Sequence, residues 1–263
     1  MTTAFVLAST DHGPMLINRM DYNHSFNGDF YGVGAQLMEN GCYDPRDVSV
    51  IRNLLLCRRE HFGDGLVALD GGANIGVHTL EWSRLMRGWG SVLAVEAQER
   101  LFYALAGNIT LHNAFNARAI WAALADVPGE LSMPEPDYTK QGSFGSFELK
   151  ARMGTEFIGQ PIDYAKPTST VKQIMIDGLG LERLDLMKLD LEGMEAEALD
   201  GARETIERCK PILFIEVIKS DRAAITGALV GAGYRVLPHG MNVMAIHKDD
   251  PTLQNISVEK EAA

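Results

Sequence analysis

The stretch that most constrains this chain is Leu66-Val-Ala-Leu-Asp-Gly-Gly-Ala-Asn-Ile-Gly76, followed by Ser91-Val-Leu-Ala-Val-Glu96. The first piece runs apolar through Leu69 and breaks at Asp70 into a glycine-rich turn. Val77, Leu80 and Leu85 then recur at helical spacing, Gly88 and Gly90 end the helix, and a second apolar run stops at Glu96. The pattern predicts a strand, a tight turn, a helix over 77–87 and a second strand. Gly71, Gly72 and Gly76 let the backbone approach a ligand closely. The helix N-terminus adds free N–H groups and partial positive charge, suited to a carboxylate or a phosphate. Glu96 stands about 20 residues past the turn, where an acid in such units meets ribose hydroxyls. The unit points to a nucleoside-containing cofactor, with a phosphate-binding or purely structural turn as the alternative.

The glycines fall as G-G-x-x-x-G rather than the G-x-G-x-x-G of dinucleotide sites. The segment reads instead D-x-G-x-N-x-G, through Asp70, Gly72, Asn74 and Gly76. A length of 263 residues fits one large α/β domain, and 46% hydrophobic residues set aside wholesale disorder. The formal charge of −11 argues against a bulk nucleic-acid binder. No apolar run approaches the roughly 20 residues that a membrane span needs. Neither nucleic acid nor membrane is therefore an expected partner. The opening Met1-Thr-Thr-Ala-Phe-Val-Leu-Ala lacks a basic region, and Cys42, Cys57 and Cys209 form no C-x-x-C pair. These features predict a cytoplasmic chain with reduced thiols.

Residues 1–44 read as an N-terminal extension or cap, with strands at Phe5–Ala8 and Pro14–Asn18 and an aromatic loop over 21–31. Asp44 as N-cap and Pro45 at the first helical position predict a helix to about Arg59, burying Val48, Ile51 and Leu55. Glu99–Leu111 is a second amphipathic helix, and Ala117–Leu124 a third strand ending near Ala122 and Ala123. Ligands lie at the carboxyl ends of strands in doubly wound sheets, so these two small residues either flank an adenine or satisfy packing alone. Residues 127–170 read as an insertion holding a hairpin or flexible flap, in which Phe144 and Phe147 pin the flap to the core or line an acceptor pocket.

A later signal is Leu184-Asp-Leu-Met-Lys-Leu-Asp-Leu-Glu-Gly-Met-Glu195. Asp190 arrives where a fourth parallel strand should end, and Glu192, two residues on, shares its side of an extended backbone. Lys188 has the same parity, and Gly193 turns the chain into one helix bearing Met194, Leu199 and Ala202 inward. Glu195 suits a first helical turn. Pro211–Glu216 is a fifth strand ending in another acid, Ser220 starts a helix through Leu229, and 234–238 and 242–247 form a terminal strand pair. A core domain over 45–249 and a polar, frayed tail over 250–263 complete the organisation.

Leu69–Gly76, Ala94-Val-Glu96, Ala122-Ala-Leu124 and Lys188–Glu195 together resemble the FkbM family of S-adenosylmethionine-dependent methyltransferases. The resemblance covers about Glu39 to Ile246. It implies a Rossmann-like class I methyltransferase fold: a seven-stranded, mostly parallel sheet with one reversed strand and helices on both faces, plus the N-terminal extension. It also implies O-methylation of a hydroxyl on a small-molecule or sugar-like acceptor. It places Asp70, Gly72, Asn74 and Gly76 around the methionine moiety, Glu96 on the ribose, and Asp190 near the cofactor's amino group or the acceptor, with Gly71 and Ala73 in the same cofactor-binding set. The first forty residues and the Gly-Ser-Phe insertion match no transferable pattern, and acceptor choice is expected there.

A sulfonium methyl is already activated, so the protein mainly aligns an in-line displacement and excludes water. A hydroxyl acceptor must still lose a proton, which asks for a base or a metal. Asp190, Glu192 and His78 are the candidate catalytic residues, with His239 a further candidate base. Asp190, Glu192 and Glu216 form a candidate Mg²⁺ set of hard oxygen ligands. A nicotinamide-dependent oxidoreductase and a non-catalytic cofactor-binding protein remain the alternative readings.

Overall fold

Met15 and Ile17, two apart on an extended strand, point to one side and are both fully buried. They belong to β2 (Gly13–Asn18), which pairs antiparallel with β1 (Phe5–Thr10). This computed structural model describes residues 3–25, 28 and 30–255. The chain continues through β3 (Asn23–His24) and its antiparallel partner β4 (Phe30–Tyr31). Residues 26, 27 and 29 of the expected aromatic loop lie outside the described residues. A helix that sequence spacing did not announce follows, α1 (Val33–Asn40), which buries Val33 and Leu37 and ends at left-handed Gly41.

The next helix, α2 (Pro45–Phe62), starts at the expected proline and buries Val48, Ile51, Leu54 and Leu55. Its cap differs from expectation. Asp44 has φ of 39° and its carboxylate accepts no hydrogen bond from the helix N-terminus. The proline at the first position needs no N–H partner, so the helix begins without a side-chain cap.

The glycine-rich unit folds as its pattern predicts into β5 (Leu66–Gly71), α3 (Val77–Leu85) and β6 (Gly90–Glu96). It leads into α4 (Glu99–Leu111) and β7 (Ala117–Trp121). Residues 127–170 are not a free flap. After β8 (Ala123–Leu124), β9 (Gly129–Met133) pairs antiparallel with β10 (Ser169–Ile174), and β10 pairs parallel with β8. Between β9 and β10 the chain runs irregularly but is anchored by Phe144 and Phe147, both essentially inaccessible. Phe144 joins the Met15, Ile17 and Val33 cluster, while Phe147 packs with Met133, Ile158 and Val171.

The remaining core elements are β11 (Leu186–Leu189), α5 (Glu195–Asp200), α6 (Arg203–Cys209), β12 (Ile212–Glu216), α7 (Arg222–Gly231), β13 (Tyr234–His239) and β14 (Asn242–His247). Two helices stand where one was expected after Gly193. The break falls at Gly201, where an added Cβ would lie 2.0 Å from the Ala125 carbonyl oxygen. Asp221, rather than Ser220, caps α7, accepting from the Ala223 and Ala224 N–H groups. Residues 251–255 form a 3-10 turn with Thr252 buried, and the rest of the polar tail, 256–263, lies outside the described residues.

The main sheet runs β13-β14-β12-β11-β5-β6-β7 and only β14 is reversed. Alternate residues of the central strands face opposite helical layers. Leu66, Ala68, Leu186 and Ile212 meet Leu55 of α2 and Trp82 of α3, while Leu69, Met187 and Leu213 meet Ala198, Ile206 and Leu229. With both faces covered, the strands' carboxyl ends form one exposed rim where ligands bind in such sheets. Among the described residues no helix is long and apolar enough to cross a membrane.

Candidate functional site

The turn after β5 is shaped by what its backbone touches. Gly72 has φ of 72°, and a Cβ there would fall 1.8 Å from the Asp190 carbonyl oxygen. Two strand ends meet at that point, and only glycine fits. Asn74 also adopts a left-handed conformation, at φ of 51°, and its side-chain oxygen accepts the Ile75 N–H at 2.8 Å. This local bond offsets the conformational cost for a residue type that tolerates it. The Asn74 N–H then donates to Glu96 Oε2 at 2.8 Å, while Gln98 N–H donates to Oε1 at 2.7 Å. Glu96 is 5% exposed, and burial pushes its carboxyl up to about 7.

Asp70 ends β5 beneath this turn. One oxygen accepts the Thr79 hydroxyl at 2.6 Å, and the other is buried with no partner among the described residues. Burial raises its pKa, and Lys188 opposes the shift. Ala122 and Ala123, both nearly inaccessible, close the far wall with Leu124. All these residues except Thr79 line one cavity of about 310 Å³ above the strand ends.

The other end of the cavity is acidic. Glu216, at the end of β12, stands beside Asp190 in the register of the two parallel strands. One oxygen each from Asp190, Glu192 and Glu216 lie within 4.8 Å of one another. Burial first, then the Asp190 charge, raises the carboxyls of Glu192 and Glu216. Two lysines, Lys188 buried and Lys219 half-buried, offset part of the charge. Lys188 Nζ lies 2.9 Å from Asp190 Oδ2, and Lys219 Nζ lies 2.6 Å from Glu192 Oε2. Burial works against both ammonium groups, but their carboxylate neighbours outweigh it and raise their pKa values.

Lys219 also reaches the insertion. It pairs with Glu156 at 2.8 Å and donates to the Ser146 carbonyl at 2.7 Å. Tyr31 donates to the other Glu156 oxygen at 2.9 Å, and Asn23 donates to both Tyr31 and the Phe157 carbonyl. The N-terminal segment and the insertion thus meet over the acidic end. Sequence reasoning missed Lys219, Glu156 and Tyr31. Only a lysine three residues past a strand-end acid hinted at the first.

The structure brings Asp70, Gly72, Ala73, Asn74, His78, Glu96, Ala122, Ala123, Asp190, Glu192 and Glu216 to this cavity. Gly71 and Gly76 serve packing off its wall: an added Cβ would meet Leu124 and Leu189 at Gly71, and Leu105 at Gly76. His78, 6% exposed, has a ring nitrogen Nδ1 without a partner among the described residues, and burial holds its pKa well below the ordinary value. His239 is drawn away from the cavity by Asp47, 2.9 Å from its Nε2. Glu195 is structural, accepting the Leu191 and Gly193 N–H groups and the Ser220 hydroxyl.

The acid trio has the hard oxygens Mg²⁺ prefers, but lysine ammonium groups already sit on two of its three members. The residues present do not fit a divalent cation. The opposite end fits a nucleoside: a buried carboxyl for ribose hydroxyls, small side chains for a flat ring, and an unsatisfied Asp70 oxygen beneath the turn.

A family model described as "Methyltransferase FkbM domain" matches residues 70–236, more than half of the chain. Among solved structures, the chain is similar to methyltransferase FkbM from Methylobacillus flagellatus KT, with TM-score 0.50 and 15% identity over 73% of this chain and 48% of that one. This chain thus spans about half the length of that protein. It is also similar to precorrin-6y C5,15-methyltransferase from Geobacter metallireducens GS-15, with TM-score 0.42 and 16% identity over 79% and 89% of the two chains. An rRNA methylase from Streptococcus thermophilus aligns at TM-score 0.43 and 10% identity, over 78% and 99%. No curated protein matches the sequence.

Proposed function

The chain belongs to the FkbM methyltransferase family, and from that premise we propose that it uses S-adenosylmethionine to O-methylate a hydroxyl of a small-molecule or sugar-like acceptor. The observation that supports the cofactor reading is the closed link between Asn74 and Glu96, which sets a buried carboxyl beside the glycine-rich turn. When bound, S-adenosylmethionine supplies a methyl group on a sulfonium, activated for displacement.

The chain's own residues bind, orient and shield. Glu96 accepts the ribose hydroxyls, and Ala122 and Ala123 leave space for the adenine. Asp70, Gly72 and Asn74 hold the methionine end, with Asp190 near its amino group. Tyr31, Ser146 and Glu156 roof the acidic end, where an acceptor hydroxyl enters and water is excluded. The missing G-x-G-x-x-G spacing disfavours a nicotinamide cofactor. The three cysteines are unpaired, which supports a reducing, cytoplasmic setting.

Thermal-shift titration tests the cofactor: S-adenosylhomocysteine should raise the melting temperature and NAD should not. Labelled S-adenosylmethionine with a metabolite extract, followed by mass spectrometry of the labelled product, tests the transfer. A chain that binds S-adenosylhomocysteine yet labels no metabolite would be a non-catalytic binder.

A further inference from the structure

We propose that Glu216 is the group that takes the proton from the acceptor hydroxyl. The assignment rests on the functional reading above and on a difference among the carboxyls around the acidic end. Asp190 is held by Lys188, and Glu192 by Lys219. Glu156 is held by Lys219 and Tyr31, and Asp44 by Tyr43. Glu216 lines the same cavity, half-buried, with no hydrogen bond or ion pair to its carboxyl among the described residues. A carboxylate committed to a lysine gives up that bond to accept a proton, whereas an uncommitted one does not. Glu216 is therefore the available proton acceptor on the strand-end rim.

Its position fits the role. The carboxyl ends β12, next to Asp190 at the end of β11, and β11 in turn adjoins β5 and the cofactor turn. An acceptor oxygen between Glu216 and the methionine end of the cofactor lies inside the cavity both share. The charged and titratable groups facing Glu216 are Asp190 and Glu192 after β11, Lys188 within it, Glu195 of α5, and Tyr43 before α2. Burial and the negative neighbours raise the affinity of Glu216 for a proton, which suits a base acting on a weakly acidic hydroxyl. In the step, the acceptor oxygen bonds to the methyl carbon and the methyl–sulfur bond breaks, its electron pair going to sulfur. The hydroxyl proton passes to Glu216. The products are a methyl ether, S-adenosylhomocysteine and a protonated carboxyl that releases its proton to water.

The test uses the full chain, tritiated S-adenosylmethionine and a metabolite extract, with calorimetric titration of S-adenosylhomocysteine alongside. For Glu216→Gln the expected result is unchanged S-adenosylhomocysteine affinity and transfer slowed about 10²- to 10⁴-fold, the span of general-base catalysis. At saturating S-adenosylmethionine, where the Glu96 titration no longer governs binding, the wild-type rate should rise with pH as the Glu216 carboxyl ionises, and the residual rate of the variant should not. Transfer by Glu216→Gln at near wild-type rate overturns the assignment and leaves the methyltransferase reading standing. Absence of transfer by the wild-type chain overturns both. Should the glutamine variant lose S-adenosylhomocysteine binding, Glu216→Asp decides. Its transfer must keep the rising limb with pH, and a flat profile overturns the assignment.

Discussion

Gly72 packs so closely under Asp190 that a Cβ on the glycine would lie 1.8 Å from the aspartate's carbonyl oxygen. The glycine-rich turn after β5 and the acidic rim after β11 are thus in direct backbone contact. Gly72→Ala must adopt a positive φ and displace the chain after β11 together. We expect a loss of about 3 kcal/mol or more in unfolding free energy, measured by urea denaturation. Wild-type stability in this variant would mean the two strand ends do not meet.

Glu96 offers a prediction in pH. Burial pushes its pKa in the folded protein up to about 7, above the ordinary 4.5, so it favours the folded state in its protonated form. That contribution is complete below about 4.5 and is lost as pH rises through about 7. Between pH 5 and pH 8 the ligand-free wild type should therefore lose ~2 kcal/mol relative to Glu96→Gln. With ribose hydroxyls donating to the ionised form, as proposed above, cofactor binding has the opposite sign. S-adenosylhomocysteine affinity should rise through about pH 7 in the wild type and level off above it. In Glu96→Gln it should be flat and about 10- to 100-fold weaker by calorimetry.

Asp190→Asn should slow methyl transfer by about 100-fold or more while the far-ultraviolet circular dichroism is kept, since it withdraws the partner of Lys188 beside the reacting groups. Near-normal turnover would remove Asp190 from the mechanism.

Lys219→Met should unpin the insertion. It leaves Glu192 and Glu156 without their shared cation and the Ser146 carbonyl without its donor. Stability should fall by about 3 kcal/mol, and limited proteolysis should cut within residues 134–168 faster than in the wild type. Unchanged cleavage would show that Phe144 and Phe147 alone hold the segment.

Chelators should leave transfer within about twofold of its untreated rate, because Lys188 and Lys219 stand where a cation would compete. A large loss restored by Mg²⁺ would show that the ion displaces a lysine.

What could be read in the sequence was local and periodic. The Asp70–Gly76 turn, the acids ending β6 and β12 and the limits of α4 follow from patterns within about a dozen residues. The roof was not legible. Lys219 reaches Ser146 across 73 residues and Tyr31 reaches Glu156 across 125, single contacts that leave no periodic trace. The irregular segment before β10 is held by two phenylalanines rather than by a repeating face, so it resembled a flexible loop. Asp44 carried the expected residue type for a cap, and only its backbone angle shows that the helix does without one.

Asn108 is wholly inaccessible on α4, and its amide joins three places at once. Its oxygen accepts the Leu16 N–H at 2.6 Å, while its nitrogen donates to the carbonyls of Leu16 and of Ile75 in the cofactor turn. The opening hairpin therefore works as a keystone rather than an ornament. A version of this chain trimmed to its sheet and helices would keep every glycine of the turn and lose the strut that steadies it from below.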